Sequence, residues 1–449
     1  VDVTRRTVLK GAGAAAALQV LAPFLARAAW GDVDPRFASR RRLVVIDLGG
    51  GNDGLNMVVP RTGARRAVYE QVRPTIKLSA PSLLPLDRGG ADDGSLGLHP
   101  SLGFVHSLYG AGRVAVVQGA DYPSHNYSHF VSNDIWQAGN PANAGDSGWL
   151  GRHLDRTGVA AGELRAVGIG GTLPHALRGG TYSGTQVNSL VETQFSEGTT
   201  PLGNARHAAY GDFSLHPVGE GLRHAYGDVC AGVVALDRAT RGLSAPTPGG
   251  LADQLMTART LLAADLGVEV VFVSTGGYDT HANQLSLQAA RLADLDQALE
   301  AFFLGTKAGA AVVDSAGAPV GPLPAWLADE TLVMTFSEFG RRIGENASGT
   351  DHGAAGPMLL VGPPAPAAGS GVDRLVPGLH GDHPDVGSTT LPADNLGLTT
   401  DLRSVYQAVL THWIADPAGP SPDEGDPEFV LSGPSLDADG SLSGLFAPA

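Results

Sequence analysis

Residues 268–284 read VEVVFVSTGGYDTHANQ. The run Val268 to Val273, rich in valine, reads as a short buried strand, and two glycines then break it. Asp279 and His281 follow, separated only by Thr280. After them Leu285, Leu292, Leu295, Leu299 and Phe302 recur at three- and four-residue steps, which predicts a long amphipathic helix. Strand, polar turn and helix thus follow one another directly.

The same succession recurs along the chain. LVVIDLGGGNDGLNMVVP starts at Leu43, carries Asp47 where the strand finishes, and turns through Gly49, Gly50 and Gly51. VAVVQGA, residues 114–120, leads into the polar DYPSHNYSH and the short predicted helix FVSNDIWQAG. TLVMTFSEFG, residues 331–340, is a fourth strand, and DLRSVYQAVLTHWI from Asp401 is a closing helix. Strands alternating with helices predict an α/β fold with a mostly parallel central sheet flanked by helices on both faces. In such sheets ligands collect at the carboxyl ends of the strands. Asp47, the 124–129 segment, the Asp279/His281 pair and Glu338 all fall there.

Composition narrows the functional classes. The chain has 449 residues, 43% hydrophobic and 17% charged, as expected of an ordered globular protein. A net charge of −15 without a basic stripe argues against nucleic acid as a partner. Cys230 is the only cysteine, so an intrachain disulfide or a thiolate-rich metal cluster is excluded, and a metal must be held by His and carboxylate. Cys230 lies in DVCAGVVALDRA, which reads as helix and gives no support to a modified-cysteine nucleophile.

Residues 1–28 read as an export signal. Arg5 and Arg6, a mildly apolar stretch diluted by Gly and Ala, and Ala26-Arg27-Ala28 resemble a twin-arginine signal peptide. Pro23 and Arg27 interrupt the apolar run near the ~20 residues needed to span a bilayer, so no stable membrane insertion is expected. The expectations are passage through the twin-arginine machinery and a periplasmic, cell-surface or extracellular location. Residues 29–449 are read as one domain, with the Gly, Pro, Asp and Ser-rich segments 61–100, 195–250 and 363–398 as long loops and the tail from Pro417 on the surface.

Asp279 alone is weak as a ligand, since an Asp before a helix is more often its N-cap. A second cluster, Thr350-Asp351-His352-Gly353-Ala354-Ala355-Gly356-Pro357, sets another Asp and His among residues too small to fill a pocket. Asp47, Asp279, His281, Glu338 and His352 are the set from which imidazole and carboxylate ligands for a hydrolytic metal would come. Asn52, Asp53 and Asp351 are candidates for supporting hydrogen bonds, and His125 and His129 are near enough to serve as ligands or acid–base groups. Arg341, with Arg342, offers a fork for an anionic group.

The order of Asp47 on a strand, GGYDTHANQ, TLVMTFSEFGRR and DHGAAGPM resembles the alkaline-phosphatase-like (sulfatase-like) superfamily, and more closely the bacterial domain-of-unknown-function 1501 family. The resemblance covers nearly all of the chain after the signal. It implies the alkaline-phosphatase-like fold and a site of one or two metals that hydrolyses phosphate or sulfate esters. By the same resemblance Asp47, Asp279, His281, Glu338 and His352 are the metal ligands, and a Ser at a helix start is the nucleophile, with Ser128 first and Ser124 second. Phe339 stands where the relatives have a metal-binding His, and Asp279 and His281 are closer together than usual. One metal, or none, is compatible with these departures.

Two functions are therefore expected. One is an exported metal-dependent hydrolase of an anionic ester, small or polymer-borne, using zinc, manganese, magnesium or calcium, with Ser128 or a metal-activated water attacking. The other is a secreted binding or assembly protein that keeps the fold without the chemistry. A dinucleotide-dependent oxidoreductase is disfavoured because GGGND lacks the spaced glycines of the phosphate-binding turn.

Overall fold

The computed structural model describes residues 41–187, 250–363 and 373–447, apart from 91, 146, 159–163, 266, 314–318, 387–393, 415–436, 438 and 439. The expected signal, Cys230, nearly all of segment 195–250 and most of the tail lie outside the described residues. Among the described residues no helix is long and apolar enough to cross a membrane.

The central sheet contains β1 (Arg42–Leu48), β2 (Val114–Asp121), β3 (Ala166–Ile169), β4 (Thr185–Val187), β5 (Val270–Thr275), β6 (Thr331–Phe336), β7 (Gly356–Val361), β8 (Gly378–His380) and β9 (Thr400–Asp401). Its order is β8-β2-β7-β6-β1-β5-β3-β4, with β9 also on β2. Only β7 runs against its neighbours in this sheet; the other pairs are parallel. The fold is thus α/β with a large, mostly parallel sheet.

The helices are α1 (Gly54–Met57), α2 (Gly63–Val72), α3 (Gly103–Gly110), α4 (His129–Ala138), α5 (Trp149–Thr157), α6 (Leu251–Ala263), α7 (Gln284–Leu304), α8 (Ala325–Asp329) and α9 (Leu402–His412). Alternation along β1 explains how they divide. Val44, Ile46 and Leu48 pack with α3, α6, α7 and α8, whereas Leu43 and Val45 pack with α4, α5 and α9. Both faces of β1 are therefore dry, which is why its sequence is a continuous apolar run.

Three details depart from the sequence reading. The fourth strand stops at Phe336, and residues 337–355 form a loop before β7. Segment 61–100 is not simply loop, because it contains α2 and two strands that join Val58–Pro60 in a small sheet. On α7 the buried stripe begins with Gln284 and Gln288 before continuing through Leu292, Leu295, Leu299 and Phe302, and Leu285 is exposed. Leu285 is about 100° around the helix from Gln284 and about 20° from Leu292, at the margin of that stripe on the first turn. The two glutamines instead reach buried polar groups: Gln284 donates to Asp53, and Gln288 donates to the Asn52 Oδ1 at 3.2 Å.

The site-forming edge follows from register. Asp47 of β1 lies opposite Ser274 of β5 and Phe336 of β6, so the loops after these strands leave side by side. Because β7 is reversed, the loop 337–355 both leaves and returns at that same edge and brings His352 to it. Gly50 and Gly51 close the turn after β1 with φ of 119° and 73°. A Cβ on Gly50 would stand 2.5 Å from the Asp279 nitrogen, and one on Gly51 would stand 2.2 Å from the Phe339 ring. These positions need glycine for both conformation and clearance.

Candidate metal centre

Asp279 is the meeting point of three imidazoles. Its Oδ1 lies 3.0 Å from His281 Nε2 and 3.2 Å from His352 Nε2, and its Oδ2 lies 3.6 Å from His129 Nε2. His281 Nε2 and His352 Nε2 are 3.0 Å apart. Ligand atoms of His129, Asp279 and His352 all fall within 4.8 Å of one another.

Local structure explains how each arrives. Between β5 and α7, Tyr278 and Thr280 are buried while Asp279 and His281 are exposed. The single-residue spacing thus places both side chains on one side of the segment, with the anchoring residues on the other. Asp279 does not cap α7, whose N-cap is Asn283. His129 is the first residue of α4, and Ser132 and Trp136, three and seven residues on, are buried. That spacing is a helix face directed at the protein. His352 comes from the loop before β7.

The far nitrogens are all turned outward. His129 Nδ1 donates to Glu338 Oε1 at 2.7 Å, and His352 Nδ1 donates to the Tyr127 carbonyl at 2.9 Å. His281 Nδ1 faces Asp351 Oδ1 at 3.5 Å. A neutral imidazole has one N–H, so a proton spent at Nδ1 leaves a lone pair at Nε2. Two such lone pairs, on His129 and His352, converge on the Asp279 carboxylate beside His281 Nε2, an arrangement that a bound cation would satisfy. Outward carbonyl and carboxylate partners are also what fixes imidazole ligands around a metal. With metal–nitrogen distances near 2.0–2.1 Å, tetrahedral ligands sit roughly 3.3–3.5 Å apart. The residues present fit a divalent ion.

Arg341 secures Asp279. Its guanidinium is buried and donates to Asp279 Oδ1 at 2.6 Å, Gly51 O at 2.7 Å, Thr350 O at 2.9 Å and Tyr278 O at 3.2 Å, and also to Gly50 O. Partial burial acts to raise the Asp279 pKa, but Arg341, His352 and His281 outweigh it and hold the carboxyl below its usual value. The expectation that Arg341 presents a fork to an anionic ester is corrected: its donors are spent on protein oxygens. Arg342 donates from Nε to the His352 carbonyl at 3.4 Å.

Glu338 lies behind the imidazoles. Its Oε1 accepts from Gly50 N at 2.8 Å as well as from His129, and its side chain is buried. It is placed to orient His129. Asp47 is buried too, with Oδ2 accepting from Asn133 Nδ2 at 3.2 Å and Ser274 Oγ at 3.5 Å. Burial, with Glu338 nearby, pushes the Asp47 carboxyl up to about 7.

Asn52 and Asp53 are structural. Asp53 caps α1 and pairs with Arg73 at 2.6 Å with neither side chain exposed. Asn52 is held by Met57 and Gln288. His125 faces away toward Asp121 and the Tyr127 hydroxyl, at 3.7 and 2.8 Å. Ser128 is the exposed N-cap of α4, its side chain making no capping bond, and Ser124 is exposed with φ of 61°. Among the described residues no base is bonded to either hydroxyl. Phe339 is buried, its ring centroid 4.9 Å from that of His129 and 4.7 Å from that of His352, so it supplies an apolar backing to both.

A family model now bears on these residues. The model for Protein of unknown function (DUF1501) matches residues 95–310. The matched stretch includes His129, Asp279 and His281 and ends before Glu338, Arg341 and His352. No curated protein matches the chain.

Proposed function

We propose that the protein is an exported metal-dependent hydrolase of the alkaline-phosphatase-like class, acting on a phosphate, sulfate or related anionic ester. The observation that carries the reading is the convergence of three imidazole Nε2 atoms on Asp279 while their Nδ1 atoms face oxygens. His129, Asp279 and His352, with His281 beside them, would hold the ion. Imidazole-rich ligation favours zinc or a similar transition ion over magnesium or calcium. A divalent ion bound here would supply Lewis acidity and lower the pKa of a coordinated water. Neutral imidazoles and one carboxylate would leave that site with net positive charge, which favours an anionic substrate.

The chain's own residues then have distinct tasks. Glu338 and the Tyr127 carbonyl hold two imidazoles in one tautomer, Arg341 aims Asp279, and Phe339 excludes water from behind the rings. Water is the favoured nucleophile over Ser128, whose hydroxyl lacks a bonded base. The twin-arginine-like N-terminus supports export to the periplasm, cell surface or medium.

Elemental analysis of full-length protein purified without chelator tests this. Near-stoichiometric metal is expected in the wild type and is lost in Asp279→Ala and His352→Ala. The metal-loaded protein should hydrolyse at least one member of a phosphate monoester, phosphodiester and sulfate ester panel. Folded wild type that takes up no zinc, manganese, magnesium or calcium would overturn the proposal and favour a binding or assembly role.

A further inference from the structure

Tyr127 is bonded at both of its polar ends. Its carbonyl accepts from His352 Nδ1 at 2.9 Å, at the back of the candidate centre. Its hydroxyl accepts from Asn395 Nδ2 at 2.7 Å and lies 2.8 Å from His125 Nε2. The His125 ring also meets the Tyr127 ring edge-on, with centroids 4.9 Å apart. Beyond His125 stands Asp121, whose Oδ2 is 3.7 Å from His125 Nδ1, longer than a hydrogen bond but within electrostatic reach. Asp121 is fully buried, and among the described residues neither carboxyl oxygen accepts a well-aligned hydrogen bond, although the Tyr122 amide is near. Asp401, also nearby, has the same sign of charge and is paired with Arg403 at 2.7 Å. A buried carboxyl in this state calls for a donor, and His125 Nδ1 faces it. With Asn395 donating to the Tyr127 hydroxyl, the phenolic proton is free to go to His125 Nε2, which leaves the imidazole proton on Nδ1, toward Asp121. The loop turns sharply to allow this: Ser124 has φ of 61°, unfavourable for a residue with a Cβ, and Asn126 N donates to the Tyr122 hydroxyl at 2.8 Å.

We infer that Asp121, His125 and Asn395 form a relay that positions Tyr127 and, through the Tyr127 carbonyl, fixes the orientation and Nδ1–H tautomer of His352. The relay's use in catalysis rests on the proposed metal-dependent reading, whereas the coupling to His352 rests only on the contacts above. An imidazole ligand depends on the acceptor that holds its far nitrogen. Here that acceptor is the main chain of a residue that is itself 38% exposed, on a loop between β2 and α4. Its carbonyl keeps one place because the side chain of the same residue is clamped from two sides. His125 and Asp121 are thus positioning residues, which act on the centre without touching ion or substrate.

The test is imidazole nitrogen NMR on full-length, histidine-labelled protein without added metal, at pH 8, above the value of about 7 to which burial pushes Asp121. Ring nitrogen shifts report which nitrogen carries the proton. In the wild type His125 and His352 should each be protonated at Nδ1. Tyr127→Phe keeps the ring and the carbonyl, yet should move His352 toward a mixture of tautomers; Asp121→Asn should do the same to His125. Zinc affinity, read by chelator competition, should fall about tenfold in Tyr127→Phe. His125→Gln, whose amide can occupy the Nε2 position, should bind zinc more tightly than His125→Ala. Should Tyr127→Phe fail to fold, His125→Ala, at a partly exposed position, gives the same readings. A His352 tautomer identical in wild type, Tyr127→Phe and His125→Ala would overturn the inference whatever the zinc affinities. Tautomers that respond as expected in a protein that takes up no metal would retain the relay and sink the metal-dependent hydrolase.

Discussion

Replacing Arg341 with Met removes a buried cation while keeping similar side-chain length. Five acceptors lose their donor: the carbonyls of Gly50, Gly51, Tyr278 and Thr350, and Asp279 Oδ1. Breaking a fully buried charge pair costs about 3–5 kcal/mol. Asp279 is 46% exposed and regains water, so its share falls toward that of a surface pair. The four carbonyls contribute about 1 kcal/mol each when well bonded, and several become partly hydrated as the loops relax. A net loss of about 3 kcal/mol is therefore expected. Urea unfolding followed by tryptophan fluorescence should show a lower midpoint at unchanged slope. Arg341→Lys should lie close to Met, since an ammonium cannot reproduce a fork shared among three loops. A loss below about 1 kcal/mol in Arg341→Met would refute the view that this guanidinium ties those loops together.

Glu338→Gln removes the charge opposite His129 while keeping an amide oxygen for the Gly50 N–H; metal affinity, read by competition with a chromogenic chelator, should fall about 10–100-fold. Asp121 offers a pH test. Burial pushes its carboxyl up to about 7, so the folded state retains a proton that the unfolded chain releases. Its contribution is fully present below the unfolded value near 3.8 and is lost as pH rises through about 7. Relative to Asp121→Asn, the wild type should lose stability between pH 4 and pH 7, in the same urea titration, by an amount on the order of a few kcal/mol. A constant difference between the two proteins would contradict that burial effect.

The strands and long helix were legible because apolar runs and helical spacing depend on near neighbours. Asp279, His281 and His352 were legible for a related reason: each sits among small or turn-forming residues at a strand edge. His129 was harder. It looked like one polar residue in DYPSHNYSH, although its three- and seven-residue spacing to Ser132 and Trp136 placed it on the buried side of α4. Glu338 and Arg341 show what sequence hides. A carboxylate and a guanidinium near a site look available for ligand binding, and only the fold reveals that backbone groups have already taken their bonds. Asp53 is similar, because its partner Arg73 comes from a stretch with no visible connection to the glycine turn.

The reversed course of β7 also bears on the order in which the chain can organise. Glu338, Arg341, Asp351 and His352 belong to one excursion between two strands that pair directly. Closing such a loop carries an entropic cost that grows only slowly with its length. This portion can therefore assemble from a local pairing, like the turn of a large hairpin, before the distant 129 and 279 segments dock. An ion arriving early would meet one imidazole and weak affinity; an ion arriving after docking would meet the full set and lock three remote stretches of chain together.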